Sequence, residues 1–338
     1  MSEQTYRTIE GGKLCRPFRN RAEVFCRGYS TRLQRAITDF GADVPFAHVR
    51  DKIYEHYGIH IANGAAATIT ERHASHLSET DMTPVARLAK GALTLIAETD
   101  GSMIPIVQTG TSDASGPQDR RKTRKVLWKE AKLSMIRRAD EVTPSFAVTL
   151  GDAAAAGADL MRLALAAGFN QRSHVHGLGD GAPWIADQME RQFGAQCRYH
   201  IDFFHVCDYL AAAKTCAAND PGWLDRQKDR LKTNQLSAVL SALTPFLEPD
   251  TVPSEDAPVR GCYRYLTNRP GQFEYHAAIQ ADLPIGSGEV ESAHRYVIQK
   301  RLKLSGAWWT PENAQAMLNL RVTRTNGGWN HYWDNLAA

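Results

Sequence analysis

Three acidic residues, Asp100, Asp180 and Glu291, stand in contexts that bring carboxylates to one edge of a sheet, although 80 and 111 residues separate them in the chain. An apolar run ends in Asp-Gly twice, at TLIAETDG and at VHGLGDG, and Glu291 follows the turn GSG at the start of a basic helix. Carboxylates packed together repel, so they stay ionised only with cations between them, and oxygen donors of this kind favour Mg²⁺, with Mn²⁺ as a substitute. Two such ions about 3.5–4 Å apart activate the attacking oxygen and stabilise the leaving oxygen of a phosphodiester, with no covalent enzyme intermediate. Each acid alone has a plainer explanation, because Asp-Gly is a turn signal and a Glu near a helix start meets the helix dipole favourably. Their joint placement is what points to metal chemistry.

Glu289 competes with Glu291 for the third position. Residues two apart on a helix project about 200° from each other, so one faces the sheet edge and the other does not. Val290, Ala293, Val297 and Ile298 mark the buried stripe and Glu291 borders it, whereas contact with unpaired backbone N–H groups of the first turn accounts for Glu289. In HIDFFHV, read as the end of a fifth strand, Asp202 points off one face and His205 sits at the strand end. The pair either positions a scissile phosphate or a water, or forms a structural hydrogen bond.

The elements that must hold these residues follow from periodicity. Residues 21–80 read as helices, either a helix-turn-helix presenting Arg72, His73 and His76 to a DNA groove or a small bundle without that role. From residue 92, ALTLIAETDGSMIPIVQTG reads as a hairpin turning at Asp100-Gly101, and VLWKEAKLSMIRRA as a third strand. An alanine-rich helix, a fourth strand ending at Asp180, a helix near 184–193 and the fifth strand complete an α/β sheet. The expected domains are a helical region at 1–90, a catalytic domain at 91–206 and 285–325, a mostly helical insertion at 207–284 and a tail at 326–338.

With 338 residues, 43% hydrophobic and 23% charged, the composition excludes a disordered or fibrous chain. No apolar run approaches the roughly 18–20 residues of a membrane span, and the expected location is cytoplasmic, on the nucleoid. Six cysteines without a C-x-x-C pair suit neither a zinc ribbon nor a disulfide framework. A net charge of +3 proves no nucleic-acid binding, but its distribution is uneven. Arg120, Arg121, Lys122, Arg124 and Lys125 open one basic segment, and Arg295, Lys300, Arg301 and Lys303 form another. Each is a solvated face or a phosphate contact; Trp308 is a candidate to stack on a flipped base, with at least one of Trp308 and Trp309 in the core.

The segments YSTRLQRAITDFGADVPFAHVRDKIYEHYGI, ETDGSMIP, GDGAPWI, DFFHVCDYL and GSGEVESAHRYVIQKRLKLSGAWWTPENAQAMLNLR resemble the Mutator-related DDE transposases of bacterial insertion sequences, within them the insertion-sequence Kra-four group. The resemblance covers about residues 25–325. It implies a ribonuclease-H-like mixed five-stranded sheet with flanking helices and Asp100, Asp180 and Glu291 as the metal-binding triad. It also implies that Asp202 and His205 form an Asp-x-x-His motif beside the active site. The expected function is cleavage at transposon ends and transfer of the 3′-OH to target DNA, with Mg²⁺ as cofactor and a homodimer or larger assembly on double-stranded DNA. A nuclease of the same fold and a domesticated, inactive DNA-binding protein are the alternatives.

Overall fold

The computed structural model describes residues 28–79, 91–109, 124–214 and 220–337, with isolated positions before residue 28. A short antiparallel pair of strands, Val24–Cys26 and Tyr29–Ser30, comes first, where helix was expected, and three helices follow, α1 Thr31–Asp43, α2 Phe46–Tyr57 and α3 Ala65–Glu79. The sheet follows: β1 Thr94–Thr109, β2 Arg124–Arg138, β3 Ser145–Thr149, α4 Ala153–Ala166, β4 His174–Gly179, α5 Pro183–Phe193 and β5 Cys197–Ile201. Then come α6 Phe203–Ala213, α7 Trp223–Lys232, α8 Leu236–Leu243, α9 Pro258–Thr267 and α10 Tyr275–Gln280. Helix α11, Gly288–Ala293, runs on as a π-helical segment, His294–Gln299, and a last turn, Lys300–Leu302; α12 Pro311–Thr325 and α13 Trp329–Ala337 end the chain.

The strand order is β3-β2-β1-β4-β5. Strands β1, β4 and β5 are parallel neighbours, and β3 is antiparallel to β2. The protein is thus a mixed α/β fold whose five-stranded mixed sheet is flanked by helices. Leu95, Ala97 and Val175 of the sheet pack with Leu160 and Leu163 of α4 and Met189 and Phe193 of α5 in one buried cluster. Asp152 caps α4 by accepting from Ala155 N–H at 2.9 Å, which explains why an alanine-rich run begins its helix there.

Two strand expectations are corrected. Thr94–Thr109 is one continuous strand through Asp100-Gly101, not a hairpin. Gly101 is not among the glycines with positive φ, so no tight hairpin turn forms; Asp100 Oδ1 instead accepts from Gly101 N–H at 2.7 Å within extended backbone. Arg124–Arg138, expected as the third strand, is therefore the second, and Ser145–Thr149, whose five residues are too few to show alternation, supplies the third.

The chain forms two compact units, one of residues 1–84, 103–130 and 295–338, the other of 85–102 and 131–294. In the first, Ile37, Val49, Ile53 and Ile69 form a core for α1, α2 and α3. Residues 326–338, expected as a tail, contain α13, with Tyr332 and Trp333 buried. His73 does not face a groove: it is buried, with Nδ1 2.8 Å from Tyr332 Oη and Nε2 3.0 Å from Gln34 Oε1. Burial, with Arg72 and His76 adding to it, lowers its pKa to about 4. A depressed histidine stabilises the fold above its unfolded pKa near 6.5, and that contribution is lost as pH falls from there towards about 4. Chemical denaturation between pH 4 and 7 is expected to show this loss in the native chain and a flatter profile in His73→Gln. Among the described residues, no helix is long and apolar enough to cross a membrane.

Candidate active site

Parallel strands β1 and β4 pair Thr94 with His174 and, at the end of the ladder, Glu98 with Leu178. Extrapolating that register by two residues sets Asp100, inside β1, level with Asp180, the residue after the end of β4. Neighbouring strands lie about 4.8 Å apart, so the two acids begin from neighbouring backbone positions. Both are half-buried.

The Asp180 loop is held from several sides. Asp180 Oδ1 accepts from Ala182 N–H at 2.8 Å, Tyr265 Oη–H donates to Asp180 O at 2.7 Å, and Arg269 Nε–H donates to Gly181 O at 3.0 Å. Tyr265 is stacked between Tyr209, at a 4.0 Å ring separation, and the Arg269 guanidinium, 4.0 Å from its ring centre. Gly181 has φ +86°, and a Cβ there would lie 2.6 Å from Tyr265 Oη. Gly181→Ala is accordingly expected to cost about 1–3 kcal/mol in urea unfolding, from backbone strain and displacement of the tyrosine.

Helix α11 is fastened to the same strands. Glu98, buried two residues before Asp100, accepts from Val290 N–H at 2.8 Å through Oε2, while its Oε1 has no partner. Burial pushes this carboxyl up to about 8, opposed by the Val290 N–H and reinforced by Glu289. Glu289 is not accounted for by the helix start alone: both its oxygens accept from Arg137 Nε–H at 2.9 Å, and Arg137 Nη2 lies 2.7 Å from Oε1. Val290, Ala293, Val297 and Ile298 are all buried, as the periodicity requires, and Glu291 is exposed beside them. One turn beyond Glu291, buried His294 places Nε2 3.2 Å from Asp100 Oδ2. The sequence reading missed His294; the signal was its i,i+3 spacing from Glu291, which puts both on one helix face. Among the described residues, no three His, Cys, Asp or Glu side chains converge on one point as ion ligands. Asp100 and Asp180 are brought together by the sheet, and Asp100 and His294 by contact; the full three-acid convergence is not closed by side-chain positions as they stand.

Asp202 is not on a strand. β5 ends at Ile201, and Asp202 caps α6, its Oδ1 accepting from Phe204 N–H at 2.6 Å and His205 N–H at 3.0 Å. Its Oδ2 accepts from Ser287 N–H at 2.5 Å and Ser287 Oγ–H at 2.6 Å, so the carboxylate clamps the turn that opens α11. His205 lies in the first turn of α6, its ring edge-on to Tyr209 at 5.6 Å. The Asp-x-x-His spacing is thus a helix cap and the residue it caps.

The basic candidates divide. Arg120, Arg121 and Lys122 lie outside the described residues. Arg301 is 2% exposed, donates to Gly41 O at 2.9 Å and sits between the rings of Phe46 and Trp309, at 4.6 and 4.7 Å; it is a core residue and not a phosphate contact. Arg124, Lys125, Arg295, Lys300 and Lys303 are exposed. Trp308 is 46% exposed with the Arg124 guanidinium 4.1 Å from its ring centre, while Trp309 is core.

A family model described as an uncharacterised protein family, UPF0236, matches residues 169–333. Over that stretch the chain is similar to UPF0236 proteins. Two curated relatives, both UPF0236 proteins of Caldanaerobacter subterraneus subsp. tengcongensis, are 23% identical over 150 residues, 44% of this chain and 31% and 30% of theirs. The match therefore spans about a third of the length of those relatives. The name of one joins eleven locus designations. The UPF0236 match overturns the Mutator-related, Kra-four assignment, which rested on the spelling of the quoted segments alone. The UPF0236-like stretch includes Asp180, Asp202, His205, Glu291 and His294 but not Asp100.

Proposed function

We propose that this protein is a DDE-type DNA transposase that cuts transposon ends and joins the freed 3′-OH to target DNA, acting as a dimer on two ends. The reading rests above all on Asp100 and Asp180 lying just beyond the end of the ladder between parallel strands β1 and β4, whose last pair is Glu98 with Leu178. The order β3-β2-β1-β4-β5, with β4 and β5 parallel to β1, is the arrangement expected of a ribonuclease-H-like sheet. Asp100, Asp180 and Glu291, a carboxylate-rich donor set, suit Mg²⁺ or Mn²⁺. Bound divalent ions supply activation of the attacking oxygen and neutralisation of the leaving one. The protein's own part is placement: Tyr265 and Arg269 fix the Asp180 loop, Glu98 anchors α11, and Asp202 sets the turn before it. A relative whose name joins eleven loci is in keeping with a gene carried in many copies, as mobile elements are.

The test is incubation of the purified chain with Mg²⁺ and duplex DNA bearing the sequences that flank its gene. Nicked ends and a joined product are expected on a denaturing gel. Nicking without joining would make it a nuclease, and binding without nicking an inactive DNA-binding protein. Exposed Lys125 and Lys303 are expected to meet phosphates. Alanine at both should lower the slope of log K against log salt by about 0.9 for each duplex phosphate that is no longer neutralised, measured by fluorescence anisotropy.

A further inference from the structure

The histidine missed in the sequence is the least explained buried group of the site. His294 is 3% exposed, and neither ring nitrogen makes a hydrogen bond, although Nε2 lies 3.2 Å from Asp100 Oδ2. The carboxylate is near but not aligned along the N–H direction. Leaving a buried polar group unsatisfied costs about 1–3 kcal/mol, so such a group calls for an explanation. The same chain shows what a structural core histidine looks like: His73 has a partner on each nitrogen, and His176 Nε2 lies 2.7 Å from Pro284 O.

Two further observations converge on His294. It begins the π-helical segment His294–Gln299, a rare distortion that recurs at functional sites. It also follows Glu291 by one turn, so a carboxylate and an imidazole share one helix face, with Cβ atoms about 5–6 Å apart. A Glu-x-x-His pair of this spacing is a recurrent way for one helix to give two ligands to an ion. From this geometry we infer that His294 is a nitrogen ligand of the ion held by Asp100, making the site selective for Mn²⁺ over Mg²⁺. The inference rests on the reading of Asp100, Asp180 and Glu291 as ion-binding acids. Imidazole suits later first-row ions better than Mg²⁺, which prefers oxygen alone and keeps much of its water.

The probe is Mn²⁺ added to the full chain without DNA, read by pulsed EPR for coupling to ¹⁴N, with Mg²⁺ competition giving the ratio of affinities. The native chain is expected to show nitrogen coupling. His294→Ala should lose it and lower the Mn²⁺-to-Mg²⁺ affinity ratio by about tenfold or more, with His294→Asn as the second variant should alanine fail to fold. Bound Mn²⁺ without nitrogen coupling in the native chain, or coupling that survives in either variant, overturns the ligand role and leaves the acids in place. Failure of the native chain to bind Mn²⁺ at all overturns the reading of the acids and this inference together.

Discussion

Asp100→Asn and Glu291→Gln are each expected to lower Mg²⁺-dependent DNA cleavage by about 10³-fold or more, equivalent to about 4 kcal/mol of transition-state stabilisation, in single-turnover assays. On the proposed transposase reading neither should weaken DNA binding, because each would remove a negative charge from beside the phosphates; for Asp100→Asn affinity should hold or rise. Glu289→Gln separates the two acids of α11. Glu289 is bound on both oxygens by Arg137, so its substitution should cost about 1–3 kcal/mol of stability and leave cleavage within a few-fold of the native rate. Full cleavage by Glu291→Gln together with loss in Glu289→Gln would reverse the assignment.

The largest stability effect is expected at Asp202. Its carboxylate accepts from three backbone N–H groups and one hydroxyl while 2% exposed. Asp202→Ala leaves those donors buried without an acceptor and removes the cap of α6, so a loss of about 3–5 kcal/mol is expected in urea unfolding. Asp202→Asn offers an NH₂ group where Ser287 requires an acceptor, and should recover only part of that. A loss below about 1 kcal/mol in the alanine variant would show that the clamp contributes little. Cleavage should fall with stability in both variants, since Ser287 opens the helix that carries Glu291.

Where apolar periodicity was long, sequence and structure agree: α2, α3, α4 and the buried stripe that begins in α11 follow from it, whereas the first helix starts only at Thr31, after the paired strands Val24–Cys26 and Tyr29–Ser30. The errors came where a local signal competed with a tertiary one. Asp-Gly is a turn signal in isolation, but here it lies inside β1, just past the end of the ladder with β4, and Asp100 satisfies Gly101 N–H locally. Asp202 was placed on the strand because Ile201 and Phe203 flank it; its capping role depends on Ser287, 85 residues away, which no local pattern reports. Arg301 looked like part of a basic face because its neighbours are Lys300 and Lys303, whereas the carbonyl of Gly41 and two aromatic rings draw it inside. Of the candidate site, the strand-Asp-Gly pattern placed Asp180 after β4, where it lies, but it also placed Asp100 after a strand, whereas Asp100 lies inside β1. His294 was overlooked: its i,i+3 spacing from Glu291 was in the sequence, but its approach to Asp100 depends on the strand beside it.

The clasp on the Asp180 loop has a consequence for engineering. Tyr265 and Arg269, both inside the segment 207–284, hold the backbone of Asp180 and Gly181, and Ile201 N–H donates to Gln272 O at 2.9 Å. Splicing that segment out to obtain a minimal sheet domain would therefore strip the loop of its supports and expose the end of β5. A graft of either the segment or the loop onto another scaffold must therefore carry the other with it.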